Sequence, residues 1–160
     1  MPVIHPFEPV WNEHSRILIL GSFPSVRSRE TGFYYGHPQN RFWRVLASVF
    51  GESCPTGNEA RRDFALKHHI ALWDAIQSCE ITGSSDASIR NAVPNDIASL
   101  LGKAPVETIV CNGRRAWALY SRFCEAQTGI KAILLPSTSA ANAAWSLDRL
   151  IEQWRILQPD

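Results

Sequence analysis

Between Phe33 and Trp43, eleven residues carry five aromatic rings, Phe33, Tyr34, Tyr35, Phe42 and Trp43, interleaved with His37, Pro38 and Asn40. The same stretch opens upstream on Gly21-Ser22-Phe23-Pro24-Ser25. Rings gathered on a loop offer faces on which planar groups stack. The amide of Asn40 donates and accepts hydrogen bonds but takes no proton at neutral pH, whereas the imidazole of His37 is a residue type that can serve as general acid or base. Further along, Ser137, Thr138 and Ser139 supply short hydroxyl donors within Leu135–Asn142, Asp74 supplies a carboxylate and Asn112 a second amide. Each also has a purely structural reading. Asn40 suits the N-cap of a following helix, His37 a loop brace, Asp74 a turn or cap and Asn112 an Asn-Gly turn, while Phe42 and Trp43 suit the packing of a helix onto a sheet.

Four short apolar runs read as strands, at 16–20, 70–73, 106–111 and 130–135. Helical spacing appears over 40–50, 57–69, 95–101, 114–127 and 146–157, with Ser146 as N-cap of the last. Alternation of this kind predicts an α/β fold, a three-layer α/β/α sandwich around a central four-stranded parallel sheet. Ligands of such sheets bind beyond the carboxyl ends of the strands. The segments there are the Gly21–Trp43 stretch, 74–88, Asn112–Arg115 and Pro136–Asn142, rich in residues that let a backbone approach a ligand. None is a GxGxxG or GxxxxGK[ST] phosphate loop.

The chain has 160 residues, 45% hydrophobic and 19% charged, which suits one globular domain spanning 1–160. No apolar run reaches the roughly 18 residues of a membrane span and the N-terminus lacks a signal-peptide pattern, so a cytoplasmic protein without membrane contact is expected. The net charge of +1 favours no partner by itself, but Arg27, Arg29, Arg41 and Arg44 flank the aromatic segment. Cys54, Cys79, Cys111 and Cys124 are scattered without metal-ligand spacing. Buried reduced thiols and no metal or cofactor are expected.

Taken together, "GSFPS", "YYGHPQNRFW" and "LPSTSAAN" resemble the two signature motifs of the uracil-DNA glycosylase superfamily, and most closely its hypoxanthine-DNA (deoxyinosine) glycosylase branch. Gly21, Pro24, Tyr35, His37, Pro38, Asn40, Arg41, Phe42 and Trp43 carry the first match and Leu135–Asn142 the second. The chain departs at Phe23, where other branches place a water-activating Asn or Asp, and at Leu135, where several place a His or Asn. The resemblance implies catalysis at Asn40; by residue type His37 is candidate support, and Asp74, at the end of the second strand, is the nearest carboxylate for activating water instead. It also implies stacking of the extruded base on Tyr35, with Phe23, Phe33, Tyr34 and Asn112 around the pocket. Ser22, Ser25, Ser137, Thr138 and Ser139 are short donors in the two motif loops suited to phosphates, and the resemblance implies a wedge from the second loop, although a tip of Thr138-Ser139-Ala140-Ala141 is small for one.

The chemistry is consistent with these residue types. Extruding a nucleotide costs a few kcal/mol, least for a mispaired base, and stacking on one ring returns about 1–3 kcal/mol. Cleavage of an N-glycosidic bond passes through an oxocarbenium-like sugar. An amide can assist by orienting water through its oxygen or by donating from its nitrogen, so positioning and electrostatics must carry the rate. Hypoxanthine leaves more readily than adenine. The implied partner is double-stranded DNA holding a deaminated base, with single strands a second candidate, bound by a monomer. Rival functions are a uracil or thymine-mismatch glycosylase, a non-catalytic single-stranded nucleic-acid-binding module, and, last, a small α/β hydrolase using Ser22 or Ser137, which lacks a GxSxG elbow.

Overall fold

The computed structural model describes residues 3–4, 8–23, 32–80 and 90–158. In chain order its elements are β1 (Val3–Ile4), β2 (Ile17–Gly21), α1 (Phe42–Phe50), α2 (Asn58–Lys67), β3 (Ile70–Asp74), β4 (Ile76–Glu80), β5 (Arg90–Pro94), α3 (Ile97–Leu101), β6 (Thr108–Asn112), α4 (Arg114–Phe123), α5 (Glu125–Thr128), β7 (Ile133–Leu135) and α6 (Leu147–Trp154). A 3-10 turn, Arg155–Leu157, follows. Strands β3-β2-β6-β7 form a four-stranded sheet in that order, all parallel.

The strands are apolar on both faces because helices cover both. Ile19, Ile70, Leu72 and Val110 point into one core with Phe42, Leu46, Phe64, Leu150 and Trp154 from α1, α2 and α6. Their neighbours Leu18, Leu20, Ala71, Ile109 and Cys111 point into the other, with Ile97, Leu100, Ala116, Leu119 and Tyr120 from α3 and α4. The expected three-layer sandwich is therefore what forms.

Several boundaries differ from the sequence reading. The run at 130–135 pairs only over Ile133–Leu135, because Ile130 is held at the α4–α5 corner by its N–H to Thr128 Oγ1 and its carbonyl to the Tyr120 hydroxyl. The helix expected over 114–127 breaks at Cys124, where φ is −122°. Residues after β3, read as loop, contain β4, which joins β1 and β5 in a small antiparallel sheet. Helix α3 starts two residues late because buried Asn95 is engaged elsewhere, donating to the carbonyls of Asp74 and Ile76, while Asp96 caps the helix. Cys111 and Cys124 are buried free thiols as expected; Cys54 is exposed.

Strand β2 ends at Gly21 opposite Asp74, the last residue of β3. A methyl group on Gly21 would overlap Asp74 Oδ1, so the glycine lets a buried carboxylate lie against the first loop. Gly21→Ala is expected to cost about 1–3 kcal/mol in urea unfolding. Combining it with Asp74→Ala should return part of that loss, as positive coupling in a double-mutant cycle; additive losses would contradict the contact.

Candidate active site

The carboxyl ends of β2, β6 and β7 bring Gly21, Asn112 and Leu135 to one edge of the sheet. Above them the two signature loops touch. Asn40 Oδ1 accepts from the backbone N–H of Phe42 at 2.9 Å and from Thr138 Oγ1 at 2.8 Å. Helix α1 begins at Phe42, so Asn40 makes an Asx turn one residue ahead of the N-cap Arg41. The N-cap reading of Asn40 is thus off by one residue, although its side chain does bond the first turn's backbone.

Thr138 is fully buried. Its hydroxyl receives Asn112 Nδ2 at 3.0 Å, its N–H donates to Asn112 Oδ1 at 3.0 Å, and its carbonyl accepts the Arg41 N–H at 3.1 Å. That is a correction to its reading as a phosphate or wedge residue: the side chain faces inward and its hydroxyl is already bonded. Gly113, at φ 98°, starts α4 directly after Asn112, and a methyl there would crowd Ser137 Cβ at 3.0 Å. Close approach of the second loop to β6 thus requires glycine.

Arg41, a motif residue and one of the arginines flanking the aromatic segment, has a further role. Its guanidinium donates to the carbonyls of Ser139, Asn142 and Trp145. Trp154 Nε1 donates to the Pro136 carbonyl and Asn142 Nδ2 to that of Ser137. Six carbonyls of the 136–145 segment, at 136–139, 142 and 145, are thereby turned inward and satisfied, as burying backbone demands. Ser137 and Ser139 stay half-buried, each accepting a loop N–H through Oγ, and line a cleft of about 530 Å³ with Arg114, Asn142 and Trp145.

Tyr35 lies half-buried at φ 55°, a left-handed conformation that costs a tyrosine roughly 1–2 kcal/mol. Its ring is stacked on Phe42 with centroids 4.0 Å apart, which offsets about 0.5–1.5 kcal/mol. The Tyr35 hydroxyl is buried toward Gly21, without a hydrogen-bond partner among the described residues. Burial, and then the charge of Asp74, hold the phenol well above its usual pKa, with Asn112 offsetting part of this. It is a neutral hydroxyl at every physiological pH.

The other rings sit elsewhere. Phe33 and Tyr34 are corrected from pocket wall to core: Phe33 stacks on Trp43, and Tyr34 is buried, with its hydroxyl on the Glu8 carbonyl. Trp43 in turn donates to the Tyr34 carbonyl. Phe23 packs into the core on the opposite sheet face from Phe42. His37 braces its loop, its Nδ1 accepting the Gln39 N–H and its carbonyl the Asn40 N–H. Ser22 lies at the end of β2 with its carbonyl bonded to the Ile76 N–H, and Ser25 falls outside the described residues. The missed contributor, Arg41, had one signal in the sequence: a charge set between Asn40 and two core aromatics. Replacing Arg41 by Met is expected to destabilise the fold by at least about 2 kcal/mol in urea unfolding. Lys should rescue little of it, because a single ammonium cannot fork to three carbonyls; full rescue by Lys would contradict the clamp.

Comparison with known proteins agrees with this arrangement. Residues 8–158 match the family model described as the uracil DNA glycosylase superfamily. A protein named hypoxanthine DNA glycosylase from Methanosarcina acetivorans is 36% identical over 145 residues, 89% of this chain and 90% of its own length. One of the same name from Methanosarcina barkeri is 37% identical over 138 residues, covering 85% of this chain and 86% of the relative. The solution NMR structure of a candidate uracil DNA glycosylase from M. acetivorans superposes with a TM-score of 0.81 at 32% identity, covering 99% of this chain and all of that one. Among the described residues no helix is long and apolar enough to cross a membrane. The meeting of the two motif loops at the sheet edge and these matches lead to one conclusion: the chain belongs to the uracil DNA glycosylase superfamily.

Proposed function

We propose that this protein is a monofunctional glycosylase that extrudes a deaminated base, hypoxanthine foremost, from double-stranded DNA and hydrolyses its N-glycosidic bond, starting base excision repair. The observation carrying this reading is the direct bond between Asn40 of the first motif and Thr138 of the second, beside Tyr35 and above the switch between β2 and β6. The name shared by the two Methanosarcina relatives supports the choice of base. Phe23 supports it further, since an apolar side chain there cannot activate water as an Asn or Asp would.

In this reading the extruded base lies against Tyr35, whose ring is rigidly backed by Phe42. Asn40 contacts the reacting nucleotide and is the catalytic residue. Asn112, bonded to Thr138, lines the base pocket. Asp74, buried behind Gly21, sets its carboxyl group toward the sugar site, where it assists the developing oxocarbenium. Ser137 and Ser139, with Arg114 along the neighbouring cleft, receive the phosphates of the bent strand. The small loop tip fits extrusion of a weakly paired base better than forced wedging of a stable pair. The whole chain works as one domain, as a cytoplasmic monomer, and needs no cofactor.

The test is incubation with duplexes holding inosine, uracil, xanthine, a G·T mismatch or only normal bases, followed by alkaline cleavage at abasic sites. Inosine is expected to be excised fastest, and Asn40→Ala to slow it by about 10²–10³-fold. Failure to release any base overturns the reading. Survival of activity in Asn40→Ala with its loss in Asp74→Asn would move the catalytic role to the carboxylate.

A further inference from the structure

Hydrogen positions around Asn40 follow from donors that have no alternative role. A backbone N–H can only donate, so the Asn40 atom facing Phe42 N is Oδ1, and the Asn112 atom facing Thr138 N is likewise Oδ1. The other end of Asn112, Nδ2, therefore donates to Thr138 Oγ1. With that lone pair in use, the Thr138 hydroxyl proton points to Asn40 Oδ1 at 2.8 Å. The result is a one-way relay, Asn112 Nδ2–H to Thr138 Oγ1–H to Asn40 Oδ1. Both lone pairs of Asn40 Oδ1 are occupied by protein donors.

We propose that Thr138 is a positioning residue that, together with the Phe42 N–H, saturates Asn40 Oδ1, so that the amide meets the substrate through Nδ2–H, as a donor, and not through its oxygen as a holder of water. This rests on the glycosylase reading above and gives Asn40 a specific task. As the C1′–N9 bond breaks, its electron pair passes to the purine, whose ring nitrogens and O6 gain negative charge. A hydrogen bond from Asn40 Nδ2 stabilises that charge. Water adds to C1′ and gives its proton to solvent, and the released purine takes one from solvent, leaving an abasic deoxyribose and neutral hypoxanthine.

Burying a threonine hydroxyl is costly unless it is fully bonded. Here it makes two hydrogen bonds in which its role in each is fixed by the neighbouring amide. Valine has the same shape without the hydroxyl, and would leave Asn112 Nδ2 short of a partner and Asn40 Oδ1 held by the Phe42 N–H alone, with one lone pair open to water. Serine keeps the hydroxyl.

Single-turnover excision of hypoxanthine is expected to fall by about 10–100-fold in Thr138→Val, with dissociation constants for the same duplex carrying an uncleavable 2′-fluorodeoxyinosine changed less than about 3-fold. Thr138→Ser should restore most of the rate. Asn40→Asp, an acceptor only, should be as slow as Asn40→Ala. With N7-methylhypoxanthine, a cationic base that leaves without a donor, the Thr138→Val defect should shrink to a few-fold; a defect equal on both bases would mark a merely structural role and overturn the proposal. Wild-type rates in Thr138→Val, or activity in Asn40→Asp, would overturn it as well. An activity-independent arm is the side-chain amide spectrum of ¹⁵N-labelled protein. Thr138→Val should shift the Asn40 and Asn112 Nδ2 resonances together while the backbone spectrum stays folded, and unchanged resonances refute the relay. If wild type released no base while those resonances moved, the glycosylase reading would fall and the positioning would stand.

Discussion

The hydroxyl of Thr138 lies out of reach of water at the edge of a parallel sheet, and the structure around it is organised by the need to bond it completely. An unpaired hydroxyl in such a place costs on the order of 1–3 kcal/mol, and here the loop after β7 that carries it finds its partners on two other stretches of chain, Asn40 ahead of α1 and Asn112 at the end of β6. Satisfying one small group therefore brings both signature loops and the switch point of the sheet into register. Arg41 extends the same logic to the backbone. Its guanidinium meets three loop carbonyls that would otherwise face the core, and helix α6 meets a fourth through Trp154.

This polar centre is rigid because apolar packing surrounds it. Phe42 is fully buried, edge-on to Trp43 and Trp154 and face-on to Tyr35. Phe42 is thus the joint between core and site, holding Tyr35 in a left-handed backbone it would not choose alone. In the proposed reading this tight packing suits Tyr35 as a stacking platform, since a base laid on a mobile ring would return less of its extrusion cost. Gly21 and Gly113 serve the same end from the sheet side, one admitting Asp74 and the other Ser137.

Much of this was legible in the sequence. Alternating apolar runs announced the layers, and the segments after strands carried the motif residues. Asn40, Asn112, Tyr35 and Asp74 do converge on one edge. What the sequence left hidden concerns direction and long-range contact. Phe33 and Tyr34 stand next to Tyr35 in the chain but turn into the core, where Phe33 stacks on Trp43 and the Tyr34 hydroxyl reaches the Glu8 carbonyl, contacts set by distant parts of the chain. Thr138 belongs to a Ser-Thr-Ser run whose members look equivalent, and only the fold distinguishes the buried one from its half-buried neighbours. Strands β4 and β5 escaped notice because Ile76–Glu80 and Arg90–Pro94 mix polar and apolar residues without strict alternation. The break at Cys124 has no proline or glycine to mark it.

The buried threonine, the clamped loop and the stacked tyrosine are the features on which the proposed donor amide and base platform rest. The most direct measurement is a crystal structure of the protein bound to duplex DNA containing 2′-fluorodeoxyinosine, which resists cleavage. The expected result is hypoxanthine extruded and stacked on Tyr35, with Asn40 Nδ2 about 2.8–3.2 Å from a purine acceptor atom and Asn40 Oδ1 still held by Thr138 and Phe42. A base left in the duplex, or one in the pocket with Asn40 Oδ1 turned toward a water, would contradict it.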